Sequence, residues 1–101
     1  MKNKIDIFGT TYKIKYVDKI EPENPDDFLW GCVIWKDKLI KIATKDTNGN
    51  NLTEDEIKLS LLHELMHFYL STGQYNHLVG DEPLVEWLAR CVLATIKQKV
   101  I

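Results

Sequence analysis

The sequence predicts an α+β fold: a small, mainly antiparallel sheet of about four strands packed against two helices. Short alternating or β-rich apolar segments occupy the first 44 of the 101 residues. Two segments with helical patterns follow, the first about 18–20 residues long and the second ending near Gln98. A run of strands followed by a run of helices is typical of α+β domains.

The strands are predicted as two hairpins. In the first, apolar and polar side chains alternate on both sides of a Gly9-Thr10 turn. In the second, two β-rich apolar runs flank the short polar segment 36–38. The strands are expected at residues 4–8, 11–17, 29–35 and 39–44. The acidic, proline-containing segment 21–27 and the polar segment 46–51 are expected to be loops.

The first helix is marked at both ends. Thr53 is followed three residues later by Glu56, which is a capping-box pattern. The run 57–70 lacks Pro and Gly, and Gly73 is a candidate for the left-handed residue that ends the helix. Because the second half of this helix is apolar nearly all round, we expect it to be buried.

The second helix is predicted to open at Pro83, with Asp81 or Glu82 as its cap. Its apolar residues recur at helical spacing as far as about Gln98. The apolar positions are Val85, Leu88, Ala89, Val92, Leu93 and Ile96.

Composition indicates an ordinary globular chain, forming a single domain over residues 1–101. Its net charge of −2 gives no reason to expect a nucleic acid or an anionic membrane as a partner. The sequence contains neither a signal-peptide pattern nor an apolar membrane span, so we expect a cytoplasmic protein. Cys32 and Cys91 are isolated and are expected to be small buried apolar residues.

The segment His63-Glu64-Leu65-Met66-His67 is an instance of H-E-x-x-H and holds two of the three histidines in the chain. On a helix, two histidines four residues apart lie on one face and can bind one metal ion. The intervening Glu64 points partly away and can act on a water bound to that metal. The motif therefore predicts a Zn²⁺ site of the kind found in hydrolases, with His63 and His67 as ligands and Glu64 as general base.

A catalytic zinc site usually has three protein ligands and a water. Glu86 is the preferred third ligand, because it lies 86 − 67 = 19 residues beyond His67 on the following helix. Ala89, one turn further on, is small enough for the two helices to approach closely. The alternative ligands are His77, Asp81 and Glu82. His77, Tyr69 and Tyr75 are also candidates to donate a hydrogen bond to an oxyanion.

With this motif and Glu86-Trp87-Leu88-Ala89 on the next helix, the chain resembles the gluzincin zinc metallopeptidases. More narrowly, residues 28–97 resemble the small ImmA/IrrE-type proteins common in phages, prophages and mobile elements. The resemblance implies that His63, His67 and Glu86 are zinc ligands and that Glu64 is the general base. ImmA-like members cut repressor-type regulators, so the resemblance also implies a protein or peptide substrate.

The expected reaction is hydrolysis of a peptide bond by a zinc-bound water that Glu64 activates. The strand at 39–44 is a candidate to pair with an extended substrate. Two alternatives stay open. The chain could be a catalytically inactive, zinc-stabilised binding module, or a metal-free phage regulatory protein that acts by protein–protein contact.

Overall fold

The first two strands form the predicted hairpin in a computed structural model, which describes residues 2–22 and 29–99. Strand β1 (Lys4–Ile7) pairs antiparallel with strand β2 (Thr10–Val17). The two turn residues are Phe8 and Gly9, with φ of 50° and 84°. A tight two-residue turn of type I′ needs positive φ at both positions, so the turn lies one residue earlier than predicted.

The second predicted hairpin is also present. Strand β3 (Gly31–Ile34) pairs antiparallel with strand β4 (Leu39–Ala43). A short 3₁₀ turn at Trp35–Asp37 joins them, and Lys38 follows in the left-handed conformation with φ of 50°. The acidic segment predicted at 21–27 lies mostly outside the described residues.

The sheet is mixed, with strand order β1-β2-β4-β3. β2 and β4 pair in parallel, whereas the other two pairs are antiparallel. β4 is therefore flanked on both sides. The prediction that the strand at 39–44 accepts an extended substrate is wrong, because both of its edges already hydrogen-bond to neighbouring strands.

The chain divides into two compact units, Met1–Ile57 and Lys58–Ile101. In the first unit, side chains that alternate along the strands form a buried apolar core, as period-two strands require. Its buried residues are Ile7, Tyr12, Ile14, Ile20, Ile40, Ile42, Ala43 and Ile57. The prediction of one domain stays a prediction.

The predicted loop at 46–51 is confirmed as a tight turn. The Asp46 Oδ1 atom accepts hydrogen bonds from the backbone N–H groups of Asn48 and Asn50, both at 2.9 Å. Lys45 and Asn51 form an isolated bridge across its ends. An aspartate that accepts from the backbone two residues on is a common way to stabilise such a turn.

Helix α1 (Glu54–Thr72) starts as predicted. The Thr53 N–H donates to Glu56 Oε1 at 2.9 Å, and the Glu56 N–H donates to Thr53 Oγ1 at 3.1 Å. These reciprocal bonds are the capping box, and they satisfy two backbone donors that a helix start leaves unpaired.

The end of α1 differs from the prediction. The left-handed residue is Gln74, with φ of 67°, and not Gly73. The N–H of Tyr75 donates to the carbonyl of Leu70 at 2.8 Å, and the N–H of Gln74 donates to Ser71 at 3.3 Å. This is the Schellman arrangement, whose left-handed position falls one residue after the glycine. A Cβ on Gly73 would lie 3.1 Å from the Tyr75 ring, so the glycine serves close packing instead.

Helix α2 (Glu82–Lys97) begins after Asp81, whose Oδ1 accepts from the Leu84 N–H at 3.2 Å. One of the two predicted caps is thus confirmed, with Pro83 in the first turn as expected. Among the described residues, no helix is both long and apolar enough to cross a bilayer.

Burial in the second unit is lower than the sequence predicts. Leu65 is the buried member of the apolar run on α1, while its neighbours are half-buried and Tyr69 is exposed. On α2, Val85 and Ala89 are buried but Cys91 is exposed, and Cys32 in β3 is only half-buried. The predictions of a buried α1 and of buried cysteines are therefore wrong. A helix that is apolar nearly all round is buried only when protein covers every side of it, and the described residues cover α1 only in part.

Candidate metal centre

The two histidines of the H-E-x-x-H motif lie one turn apart on α1, as their spacing predicts. Their Nε2 atoms are 3.2 Å apart, and the ring planes are inclined at 65°. About a quarter of each side chain is exposed, 24% for His63 and 23% for His67. The pair is thus accessible from solvent yet partly enclosed by protein.

Nδ1 of His67 faces a backbone carbonyl group. This atom lies 2.7 Å from the backbone carbonyl oxygen of Val79. A carbonyl oxygen can only accept, so Nδ1 carries the hydrogen and donates it. In the neutral ring, Nε2 then holds a lone pair, which is the form that binds a metal.

His63 is oriented in the same sense by a carboxylate. Its Nδ1 lies 3.2 Å from Oε1 of Glu86 and its Nε2 lies 2.9 Å from Oε2 of Glu82, so each ring nitrogen faces an oxygen that can accept. The other oxygen of Glu86 accepts a bond from Arg90 Nη2 at 3.0 Å. When Nδ1 carries the one hydrogen of a neutral ring, the lone pair falls on Nε2, which faces the Nε2 atom of His67.

Glu82 completes the cluster from the first turn of α2. Its Oε2 lies 2.9 Å from His63 Nε2, and its Oε1 lies 3.1 Å from His67 Nε2. In the part of the chain that the structure describes, these residues form the one group of three whose ligand atoms all lie within 4.8 Å of one another. Three electron-rich groups converging at this distance repel one another unless a proton or a cation lies between them.

The spacing and the donor types of the trio are compatible with a bound metal ion. Ligand atoms about 2.0–2.1 Å from a tetrahedral ion are roughly 3.3 Å from one another. The observed separation of 3.2 Å between the two Nε2 atoms matches this value closely. Two imidazoles and one carboxylate also form the ligand set of several catalytic zinc enzymes. Imidazolium–carboxylate ion pairs have similar distances, but they need protonated histidines.

Glu64, between the two histidines, is half-buried. Burial raises the pKa of its carboxyl, the charges of His67 and His63 act to lower it, and Glu82 raises it further. Glu64 is therefore close enough to the cluster to respond to the charge of each member. It makes no side-chain hydrogen bond within residues 2–22 and 29–99 that would hold its carboxylate elsewhere.

The structure brings His63 and His67 together with Glu82, and Glu86, the preferred third ligand, lies outside this group. Glu82 faces the two Nε2 atoms, whereas Glu86 lies against the opposite nitrogen of His63. Both glutamates lie on one face of α2, four residues apart, so both reach the histidine pair. The sequence did contain a signal that Glu82 was a candidate ligand. Glu82 and Glu86 are four residues apart on one helix, so either carboxylate could have faced the histidine pair.

The remaining candidates lie outside the trio. Asp81 caps α2 through its own carboxylate. His77 is exposed in a short 3₁₀ turn, with its ring 6.3 Å from that of Tyr75. Tyr69 and Tyr75 are both exposed, and their suggested role as oxyanion donors stays a prediction.

No protein-family model matches the chain, and neither a curated protein nor a solved structure matches it.

Proposed function

We propose that this protein is a zinc-dependent peptidase in which His63, His67 and Glu82 hold the ion and Glu64 is the general base. The observation that carries the proposal is the convergence of the two Nε2 atoms on the Glu82 carboxylate, at 2.9 and 3.1 Å. In this proposal Glu86 supports His63 instead of binding the ion.

The tautomers support the role of the histidines as ligands. Each Nδ1–H has a protein acceptor, Val79 for His67 and Glu86 for His63. Metal-binding histidines usually donate their other ring N–H to a carbonyl or a carboxylate in this manner. Such partners fix the ring orientation before the ion arrives, which lowers the cost of assembling the site.

The charges also favour a cation. Two neutral imidazoles and one carboxylate leave the trio with a net charge of −1. Glu82 is 62% exposed, so an ion can reach the cluster from solvent. A bound zinc would supply a Lewis acid that polarises a carbonyl group and lowers the pKa of a water to roughly 7.

We assign proton transfer to Glu64, which lies next to His63 on α1. Its carboxylate has no competing hydrogen-bond donor among the described residues and lies within the field of both histidines. It would take a proton from the attacking water and deliver it to the amine that leaves when the peptide bond breaks. The proposed substrate is a peptide or a protein segment, and the resemblance to ImmA-like proteins favours a regulatory protein.

The test replaces Glu64 by Gln, which keeps the shape of the side chain but removes the base. The protein should retain one zinc per chain and should cut a peptide library about 10²–10⁴-fold more slowly than wild type. Glu54→Gln, in the exposed first turn of α1, is the matched control and should change neither property.

Three outcomes would contradict the proposal. Wild-type protein purified without added metal that contains no zinc and takes up none would leave the trio as a set of ion pairs. Zinc binding without chelator-sensitive cleavage would leave a metal-stabilised binding module. Loss of zinc together with activity in Glu64→Gln would mean that Glu64 supports the structure of the site.

A further inference from the structure

We infer that Arg90 is a positioning residue for the metal centre, which acts through Glu86 on the ring of His63. This inference rests on the proposed function, because it concerns the geometry of one of the proposed ligands. The contacts run in series. The Arg90 guanidinium donates to Oε2 of Glu86 at 3.0 Å, and Oε1 of Glu86 faces the Nδ1–H of His63 at 3.2 Å.

The two oxygens of Glu86 are therefore held in different directions. Arg90 is four residues beyond Glu86 on α2, which is the spacing at which two side chains meet on a helix surface. To turn toward the Nε2 side of His63, the carboxylate would have to give up its bond to Arg90. The arginine thus keeps Glu86 in the role of hydrogen-bond acceptor.

Glu82 shows the contrast. It lies one turn before Glu86 on the same face of α2, and each of its oxygens faces an Nε2 atom. The ion pairs of its carboxylate in the described residues are with the two histidines. Arg90 therefore distinguishes two carboxylates that would otherwise be equivalent by position. The Glu82 carboxylate can face the ion, whereas the Glu86 carboxylate accepts the hydrogen bond from His63.

The choice of residue type fits this role. Of the 13 basic residues, 12 are lysines, and Arg90 is the one arginine in the chain. A guanidinium is planar, permanently charged and more weakly hydrated than an ammonium group, so it orients a carboxylate better than lysine does. If this position only had to place a positive charge on the exposed surface of α2, a lysine would serve as well.

The expected effect is modest but measurable. The Arg90 side chain is 60% exposed, and pairs of this kind contribute little in water. We expect Arg90→Met to weaken zinc binding about twofold to fivefold, in line with the strength of exposed ion pairs. Glu86→Gln, which alters the direct partner of His63, should weaken it about 10–100-fold.

The experiment measures the affinity of the purified full chain for Zn²⁺ by competition with a chromogenic chelator. The variants are Arg90→Met, Arg90→Lys, Glu86→Gln and the double variant of Arg90→Met with Glu86→Gln. Lys99→Met removes the same charge beyond the end of α2 and is the control. The absorption spectrum of the Co²⁺-loaded protein reports on ligand geometry and would not respond to a purely structural role of Arg90.

The inference predicts that Arg90→Met weakens zinc binding and shifts the Co²⁺ spectrum, while Lys99→Met does neither. Arg90→Lys should recover part of the loss, and Arg90→Met should add nothing once Glu86 is Gln. Wild-type affinity for zinc in Arg90→Met would overturn the inference. So would a double variant in which Arg90→Met weakens zinc binding as much as it does when Glu86 is unchanged. If the wild-type chain binds neither ion, the proposed function itself fails, and that result is distinct because every variant then behaves alike.

Discussion

The first unit (Met1–Ile57, called the sheet unit) and the second (Lys58–Ile101, called the helical unit) differ in the kinds of side chains that they bring together. Among the described residues, eight of the eleven buried apolar side chains belong to the first unit, whereas Leu65, Val85 and Ala89 are those of the second unit. In the helical unit, polar contacts cluster where α1 and α2 meet: His63 and His67 face Glu82, Glu86 and the carbonyl of Val79. In the described part of the chain, the first unit thus holds most of the buried apolar side chains, and the second holds the cluster of imidazoles and carboxylates.

This difference has an energetic consequence. Burial of apolar side chains stabilises a fold without further partners. A half-buried cluster of imidazoles and carboxylates stabilises it only when its charges and lone pairs are matched. On the proposed function, a zinc ion supplies that match, and the free energy of binding is also free energy of folding for the helical unit. The two units should therefore respond differently to metal and to mutation.

The largest expected effect is that of His67→Ala on metal binding. The variant removes one proposed ligand, so its affinity for Zn²⁺ should fall by more than the roughly 100-fold that loss of a supporting residue costs. Competition with a chromogenic chelator measures this. His77→Ala, at the exposed third histidine, is the control and should bind as wild type does. Equal affinities for the two variants would show that the histidine pair does not hold the ion.

Next in size is a core substitution in the sheet unit. Ile42 in β4 is fully buried, so Ile42→Ala should lower the free energy of unfolding by about 2–5 kcal/mol. Urea denaturation with and without zinc gives the number. If the core of the sheet unit is independent of the metal, Ile42→Ala should lower the free energy of unfolding by the same amount with and without zinc. A cost that changes with zinc would mean that the core of the sheet is not independent of the metal.

Removal of the ion should affect the helical unit selectively. With free zinc about 100-fold above its dissociation constant, binding stabilises the folded form by about 2.7 kcal/mol. A chelator should therefore speed amide hydrogen exchange in the Val79–Arg90 region by up to about 100-fold and leave β4 nearly unchanged. Mass spectrometry of exchanged peptides reports both regions in one experiment. If the chelator instead speeds amide hydrogen exchange equally along the whole described chain, the two units do not differ in their response to the metal.

The smallest expected effect tests the start of α1, far along the helix from the histidines. Thr53→Ala breaks the capping box and should lower the free energy of unfolding by about 1 kcal/mol. In a chain of this size, that corresponds to a fall of about 4–8 °C in Tm. Thr47→Ala, in the exposed turn before α1, should leave Tm within error of wild type. An equal fall in Tm in both variants would mean that the capping box does not specifically stabilise the protein.

Local sequence signals predicted most of the secondary structure. The Thr53–Glu56 capping box and both hairpins depend on residues a few positions apart, and both were found. The parallel pairing of β2 with β4 depends on residues about 26 positions apart, such as Lys13 and Leu39 (39 − 13 = 26), and no local pattern encodes it. That pairing also closed β4 to an added strand.

The candidate site was predicted in part for a similar reason. The helical spacing of His63 and His67 directly implied that they share a face of α1. The third position depended on which of two glutamates, four residues apart on α2, faces the Nε2 atoms. Glu82 contacts both Nε2 atoms, whereas Glu86 contacts Nδ1 of His63 and Arg90. These contacts depend on the register between two helices, which the spacing of residues along one helix does not give.

We propose above all that His63, His67 and Glu82 bind a zinc ion between them. X-ray absorption at the zinc edge, on protein purified without added metal and then loaded with one equivalent of zinc, tests it most directly. We expect two imidazole nitrogens and at least one oxygen at about 2.0–2.2 Å from the ion, with the imidazole signal reduced in His67→Ala. Failure to bind zinc, or an ion surrounded by oxygen alone or by sulfur, would contradict it.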